Sequence, residues 1–176
     1  MIEKNGNSPG AMPLRFILLG VLIMMSLSSL SQTPENPPRP LTLFVNPALS
    51  LNFGSFYQGA SGGTITIYPN GLRSSTGSVV LTNMGFSFSP AVFEVDAEPG
   101  TIVTLSNGPD VSLTGSNGGF MILHIGSSDP SSPIVTRVKS PDRTEIRIGG
   151  VLTVANPLAN PPGNYSGTFS VIFIQQ

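Results

Sequence analysis

Few residues in this 176-residue chain are of types that do chemistry, and their spacing limits what they could do. Gly59-Ala60-Ser61-Gly62-Gly63 spells G-x-S-x-G, the pattern that presents a nucleophilic serine on a strained turn between a strand and a helix. Here a strand-like run follows and no helical pattern exists, so the segment reads as a glycine loop between strands. His124 is the one histidine and so the one imidazole base. Alternation within Phe120–Ile125 sets it beside Phe120 and Ile122, opposite Met121, Leu123 and Ile125. It reads as a solvent-edge or hydrogen-bonded side chain and cannot build a multi-histidine metal site alone. Glu94, Asp96 and Glu98 recur at every second position, about 7 Å apart along one strand face. Paired-carboxylate catalysis needs two such groups in opposed environments across a cleft, whereas a solvated face needs nothing more. Weak calcium binding is the other reading of these three, but the loop spacing for that ion is missing.

Arg137, Lys139, Arg143 and Arg147 form the sole basic cluster. It suits a surface polysaccharide, a phosphate-bearing lipid head group or the acidic 94–98 face of a neighbouring subunit. Interleaved with Asp142 and Glu145, it also suits a mixed, soluble surface. Asn164-Tyr165-Ser166 fits the N-glycosylation letters and reads as chance in a bacterial-type protein. No catalytic, cofactor-binding or metal residue is therefore predicted. The chain reads as a non-enzyme without a cofactor. Net charge is −1 and only 10 % of residues are charged, so no basic field exists to hold nucleic acid. With no cysteine, disulfide frameworks, Fe–S centres and cysteine-built zinc sites are excluded.

The N-terminus points to export. Arg15, the apolar run Phe16–Met25 and a small-residue region ending at Ser31 follow the order of a secretory signal peptide. The run is about half the ~20 residues of a membrane span, so no span remains after cleavage. Met12 makes a tidier start than Met1, because residues 1–11 are an oddly long polar lead. The reading is thus a signal peptide over 1–31, a Pro-rich linker over 32–40 and a single β-sandwich domain over 41–176. The product is secreted to the periplasm, cell surface or extracellular space.

Whatever these residues do, strands must position them. Apolar runs are short, β-branched or aromatic, and bounded by Gly, Pro or Asn; Gly alone numbers 20 and Pro 17. They place strands at Leu41–Val45, Leu49–Phe53, Thr64–Tyr68, Ser78–Thr82, Ala91–Ala97 and Thr101–Leu105. Further strands follow at Val111–Thr114, Phe120–Ile125, Ile134–Lys139, Thr144–Ile148, Val151–Ala155 and Thr168–Ile174. Glu98-Pro99-Gly100 predicts a hairpin over Ala91–Leu105, and Gly149-Gly150 a two-residue turn between the strands around it. The closing strand is apolar on both faces, so it belongs mid-sandwich or faces a partner. The class is all-β, an immunoglobulin-like antiparallel β-sandwich.

Certain motifs then carry a resemblance. They are Leu51-Asn52-Phe53-Gly54, Gly62–Ile67 with Pro69, Gly71 and Arg73, Pro90–Val95, Glu98-Pro99-Gly100 with Val103–Leu105, Ile148–Val154 and Pro162–Val171. In this order they resemble a bacterial family of secreted domains, domain of unknown function 4402, across about residues 41–174. More distantly, the Asn-Phe-Gly start and the closing Gly-x-Tyr-x-Gly strand are similar to spore-coat-U and secreted-pilin domains of chaperone–usher fibres. The resemblance implies a pilin-like sandwich, export and no known enzymatic activity. In the fibre families an N-terminal extension donates a strand to the next subunit, and here only Leu41–Val45 could serve. Partners are then the chain itself or related subunits through that segment. The function expected is an exported structural domain, a pilin-like or coat subunit assembling by strand addition. The alternative is a small secreted module binding a glycan or surface protein on Phe56, Tyr57 and Tyr68.

Overall fold

Short β-branched and aromatic runs between glycines and prolines favour extended backbone. The computed structural model, which describes residues 39–46 and 49–176, has fifteen strands and no α-helix among those residues. In chain order they begin with β1 (Thr42–Val45), β2 (Asn52–Phe53), β3 (Phe56–Gln58), β4 (Gly63–Ile67) and β5 (Arg73–Ser75). Next come β6 (Val79–Leu81), β7 (Phe88–Ser89), β8 (Ala91–Asp96), β9 (Ile102–Asn107) and β10 (Val111–Gly115). The chain closes with β11 (Phe120–Asp129), β12 (Ile134–Val135), β13 (Thr144–Val154), β14 (Tyr165–Ser166) and β15 (Val171–Gln175). The signal-peptide reading of 1–31 and most of the 32–40 linker lie outside the described residues. Among those described, no helix is long and apolar enough to cross a membrane.

Every pairing is antiparallel. One large sheet runs β1-β8-β13-β11-β10-β14, with β4 attached to β13 and β5 to β4. A smaller sheet runs β12-β9-β15, and β2-β7 and β3-β6 are two-stranded ribbons. Their inner faces share one core, in which Ile65, Val95, Val103, Ile146 and Ile148 are fully buried. This is the expected all-β sandwich-like class. The alternation also holds: Val95, Ile146 and Ile148 point inward, while Arg143, Glu145 and Arg147 are exposed. Register sets Glu94 opposite Glu145, a repulsive cross-strand pair. Arg143 donates to Glu94 at 2.8 Å and Arg147 to Glu145 at 2.6 Å, which offsets it.

Two expected hairpins do not form. Gly149-Gly150 lies inside the unbroken β13, and neither glycine has the positive φ that a primed turn requires. They are small because neighbours come close. A Cβ on Gly149 would meet the Ile67 carbonyl oxygen, and one on Gly150 would meet Leu51 at 2.9 Å. Here β13 exchanges β8 for β4 as its neighbour. The Glu98-Pro99-Gly100 turn does form, with Gly100 at φ +90° and Thr101 N–H donating to the Glu98 carbonyl at 3.1 Å. It carries the chain between layers, because β8 pairs with β1 and β13 whereas β9 pairs with β12 and β15. Buried Thr136 anchors the crossing: its hydroxyl donates to the Glu98 carbonyl at 2.6 Å. That turn inward ends β12 at Val135, short of the expected Lys139.

Other differences are of extent. The strand expected from Leu49 begins only at Asn52, β11 runs past a bulge to Asp129, and the last strand starts at Val171. Short β3, β5, β7 and β14 have no counterpart in the sequence reading.

Candidate functional site

A cleft of about 590 Å³ opens into the core. Leu152, Leu123 and Leu113 come from adjacent strands β13, β11 and β10 and form its floor. One side is the segment 50–58, with Leu51, Phe53 and Phe56; the other is 161–169, with Tyr165 and Phe169. Among the described residues, the strands on both sides keep a free edge, since β2 pairs only with β7, β3 only with β6, and β14 only with β10. Apolar floor and unpaired strand edges together suit an extended peptide better than a compact ligand.

Arg73 holds the first side in place. From β5 its guanidinium donates to the Phe53 carbonyl at 2.9 Å, the Ser55 carbonyl at 3.3 Å, the Thr82 carbonyl at 2.8 Å and Asn83 Oδ1 at 3.2 Å. Its Cζ also stacks 4.2 Å from the Phe88 ring centroid. Burial lowers its pKa from the ordinary guanidinium value, yet the charge persists because carbonyl dipoles surround it. The second side hangs on buried Asn160. Its Oδ1 accepts from Ala155 N–H at 2.6 Å, and its Nδ2 donates to the Phe120 carbonyl at 2.6 Å. Gln58 Nε2 donates to the Asn160 carbonyl at 2.5 Å, tying the two sides together at one end.

Tyr165 stiffens the same loop by donating its hydroxyl to the Pro161 carbonyl at 2.7 Å. Burial raises its ionisation above the usual 10.0. An acid whose folded pKa is raised stabilises the fold below the unfolded value and loses that contribution as pH climbs past it. Denaturant midpoints should therefore show wild type above Tyr165→Phe by about 1 kcal/mol at neutral pH. That difference should shrink above a pH of about 10; a gap constant with pH would contradict it.

At the other end of the large sheet lies β1. All four of its residues are exposed, and among the described strands it pairs only with β8. Arg143 clasps it: the guanidinium lies 3.5 Å from the Phe44 ring centroid while bonded to Glu94, the register partner of Phe44. Arg39, just before β1, pairs at 3.6 Å with both Asp96 and Glu98, and Gln175 bonds Leu41 N–H and the Arg39 carbonyl. Exposed pairs of this kind contribute ~1 kcal/mol or less. Arg143→Gln should thus speed amide exchange in Leu43–Val45 by about fivefold, with the melting temperature nearly unmoved.

The residues that the sequence singled out do not converge. Ser61 donates to Ser78 Oγ at 3.1 Å and is followed by β4, so no nucleophile elbow exists. His124 Nδ1 is 2.7 Å from Asp110 on the exposed side of β11. The three carboxylates of β8 and its turn are engaged by Arg143 and Arg39. The basic cluster divides: Arg143, just before β13, pairs with Glu94 and Arg147 on β13 pairs with Glu145, while Arg137 and Lys139 lie beyond β12. Asn164, of the glycosylation letters, is exposed before β14. Of the three aromatics, Tyr57 and Tyr68 are exposed, but Phe56 turns onto the core. Phe86 stands exposed at the cleft mouth and was missed. Its only sequence signal is a large apolar residue in a Gly- and Ser-rich stretch.

A family model described as Domain of unknown function (DUF4402) matches residues 43–174. The chain belongs to this family. The match takes in both sides of the cleft, Arg73 and Asn160, and all of β15 but its last residue. No curated protein and no solved structure matches the chain.

Proposed function

We propose that this DUF4402 domain is an exported, non-catalytic structural subunit of pilin or coat type, which assembles head to tail by strand addition. One observation carries the reading. The weakly held β1 and the open cleft beside β14 lie at opposite ends of the β1-β8-β13-β11-β10-β14 order. A copy that inserts its arm into the next copy's cleft therefore leaves its own cleft free. Such a contact is heterologous and propagates as a filament. Leu41, Leu43 and Val45 alternate along the arm and would meet Leu113, Leu123 and Leu152. Leaving β8 costs four residues of edge pairing and the Arg143 clasp. The Arg39 and Gln175 contacts are lost as well, and burying the exposed Leu43 and Val45 at about 1.5–3 kcal/mol each offsets these losses.

The test is the molar mass of the full chain, purified after export, by size exclusion with light scattering. A ladder of oligomers is expected, and Leu43→Asp with Val45→Asp should collapse it to single chains that stay folded. A sharp single-chain peak for wild type would overturn the reading. Mass spectrometry of the exported chain should find Gln32 at its N-terminus. A second reading, a secreted module binding a glycan, is favoured by Tyr57 and Phe86 standing exposed beside the cleft. It predicts that Tyr57→Ala abolishes glycan retention while leaving any ladder intact.

A further inference from the structure

We infer that β15 is a second assembly edge, at which two copies pair β15 against β15 across a two-fold axis to form one six-stranded sheet. This goes beyond strand addition and uses a different edge, since the cleft sides end at Phe169. Among the described residues, β15 is bonded to β9 on one side only. Natural sheet edges are blunted by lysine, proline, bulges or inward charges. From Asn164 to the end the chain has no charged residue and no proline, and the β15–β9 register runs unbroken from Val171 to Gln175. The edge is unprotected.

Its outer face is apolar as well. Ile172 is 59 % and Ile174 43 % exposed, while Val171 and Phe173 pack inward on the core. Register puts exposed Ile102 and Val135 on the same outer face. Solvent-facing sheets normally alternate polar outward. The β8–β13 face obeys that rule with Glu94, Glu145 and Arg147, whereas the outer face of β15 does not.

The occupant follows from charge and register. A partner strand bringing ions would desolvate them against a β15 that holds no counter-charge, whereas a second β15 brings none. Antiparallel pairing centred on Phe173 sets Ile172 of each copy against Ile174 of the other, two apolar cross-strand pairs on one face. Inward, Val171 meets Gln175 twice. The strand is complementary to itself, as a two-fold interface requires. An edge contact of this size is small, so the dimer should dissociate on dilution.

The test uses the full exported chain carrying Leu43→Asp and Val45→Asp, which removes any head-to-tail ladder and keeps the two readings separable. Sedimentation across a dilution series should show a monomer–dimer equilibrium. Ile172→Lys should weaken it at least tenfold without lowering the melting temperature, and the strand-compatible Ile172→Thr should weaken it less. With no native cysteine, Ile172→Cys and Ile174→Cys chains report register: their mixture should cross-link on oxidation severalfold more than either alone. A single chain at every concentration, or cross-linking without that preference, would overturn the proposal. So would an Ile172→Cys chain that links instead to a Thr42→Cys chain, which would put the N-terminal arm on this edge.

Discussion

Arg73→Ala should unfold about 3 kcal/mol more easily than wild type, one of the two largest losses for a single partly exposed or polar side chain here. The guanidinium satisfies three backbone carbonyls and one side-chain oxygen from the segments 53–55 and 82–83, and it lies over Phe88. Hydrogen bonds to a charged donor contribute ~1.5–3 kcal/mol each when water is kept out. Water can reach part of this site, so the loss is well below the sum. Arg73→Lys should recover less than half of it, since an ammonium cannot spread over acceptors that a planar fork reaches at once. Denaturant midpoints measure both. Because Gly54 and Ser55 lie on the cleft side that Arg73 holds, their amides should exchange early in Arg73→Ala. If strand addition is the assembly route, oligomers of this variant should also shorten. Arg73→Ala with a denaturant midpoint equal to that of wild type would show that solvent replaces the fork without loss.

Arg73 also shows where reading the chain succeeds and where it stops. Alternation of Phe93, Val95 and Ala97 against Glu94, Asp96 and Glu98 was legible because burial and charge differ by residue type. The same held for Thr144–Ile148. Gly149-Gly150 misled because a glycine pair signals two things: positive φ at a turn, or the absence of a Cβ where backbones come close. Only the neighbouring Ile67 carbonyl decides between them, and it lies far along the chain. Glu98-Pro99-Gly100 marked correctly where the chain reverses. Turn chemistry cannot say whether the strands on either side share a sheet, and here Thr136 pulls the turn across the layers.

The cleft was not legible at all. Its sides are roughly a hundred residues apart in sequence, and its floor leucines look like ordinary core residues of three strands. By contrast, the ambiguity in the closing strand was visible. Ser170, Ile172 and Ile174 had to lie either in the middle of a sandwich or toward a partner, and β15 proves to be an edge with those isoleucines exposed. The middle-strand option is excluded by pairing, which composition does not encode.

Asn160→Leu should cost about 3 kcal/mol and lower the melting temperature by roughly 10 °C. In sequence Asn160 sits in Asn156-Pro157-Leu158-Ala159-Asn160-Pro161-Pro162, where asparagine beside proline reads as an exposed turn residue. It is instead 2 % exposed. Its amide joins three parts of the chain: it accepts from Ala155 N–H at the end of β13, donates to the Phe120 carbonyl at the start of β11, and donates to the Ala159 carbonyl at 3.0 Å. Leucine keeps the branching at Cγ and is larger, so no cavity term enters and any overpacking adds to the loss. What remains is one backbone donor and two carbonyls losing a buried partner, at ~1–3 kcal/mol for each that water cannot reach. Asn160→Asp separates shape from hydrogen bonding. Its carboxylate still accepts from Ala155 N–H, but it faces the Phe120 and Ala159 carbonyls with no proton to give. Protonation restores a donor, so this variant should regain stability as pH falls, while Asn160→Leu should not. Thermal melts of both across acidic to neutral pH decide it. Equal, pH-independent losses would mean that side-chain volume, not the amide bracket, holds the 156–164 loop against β3 and closes that end of the cleft.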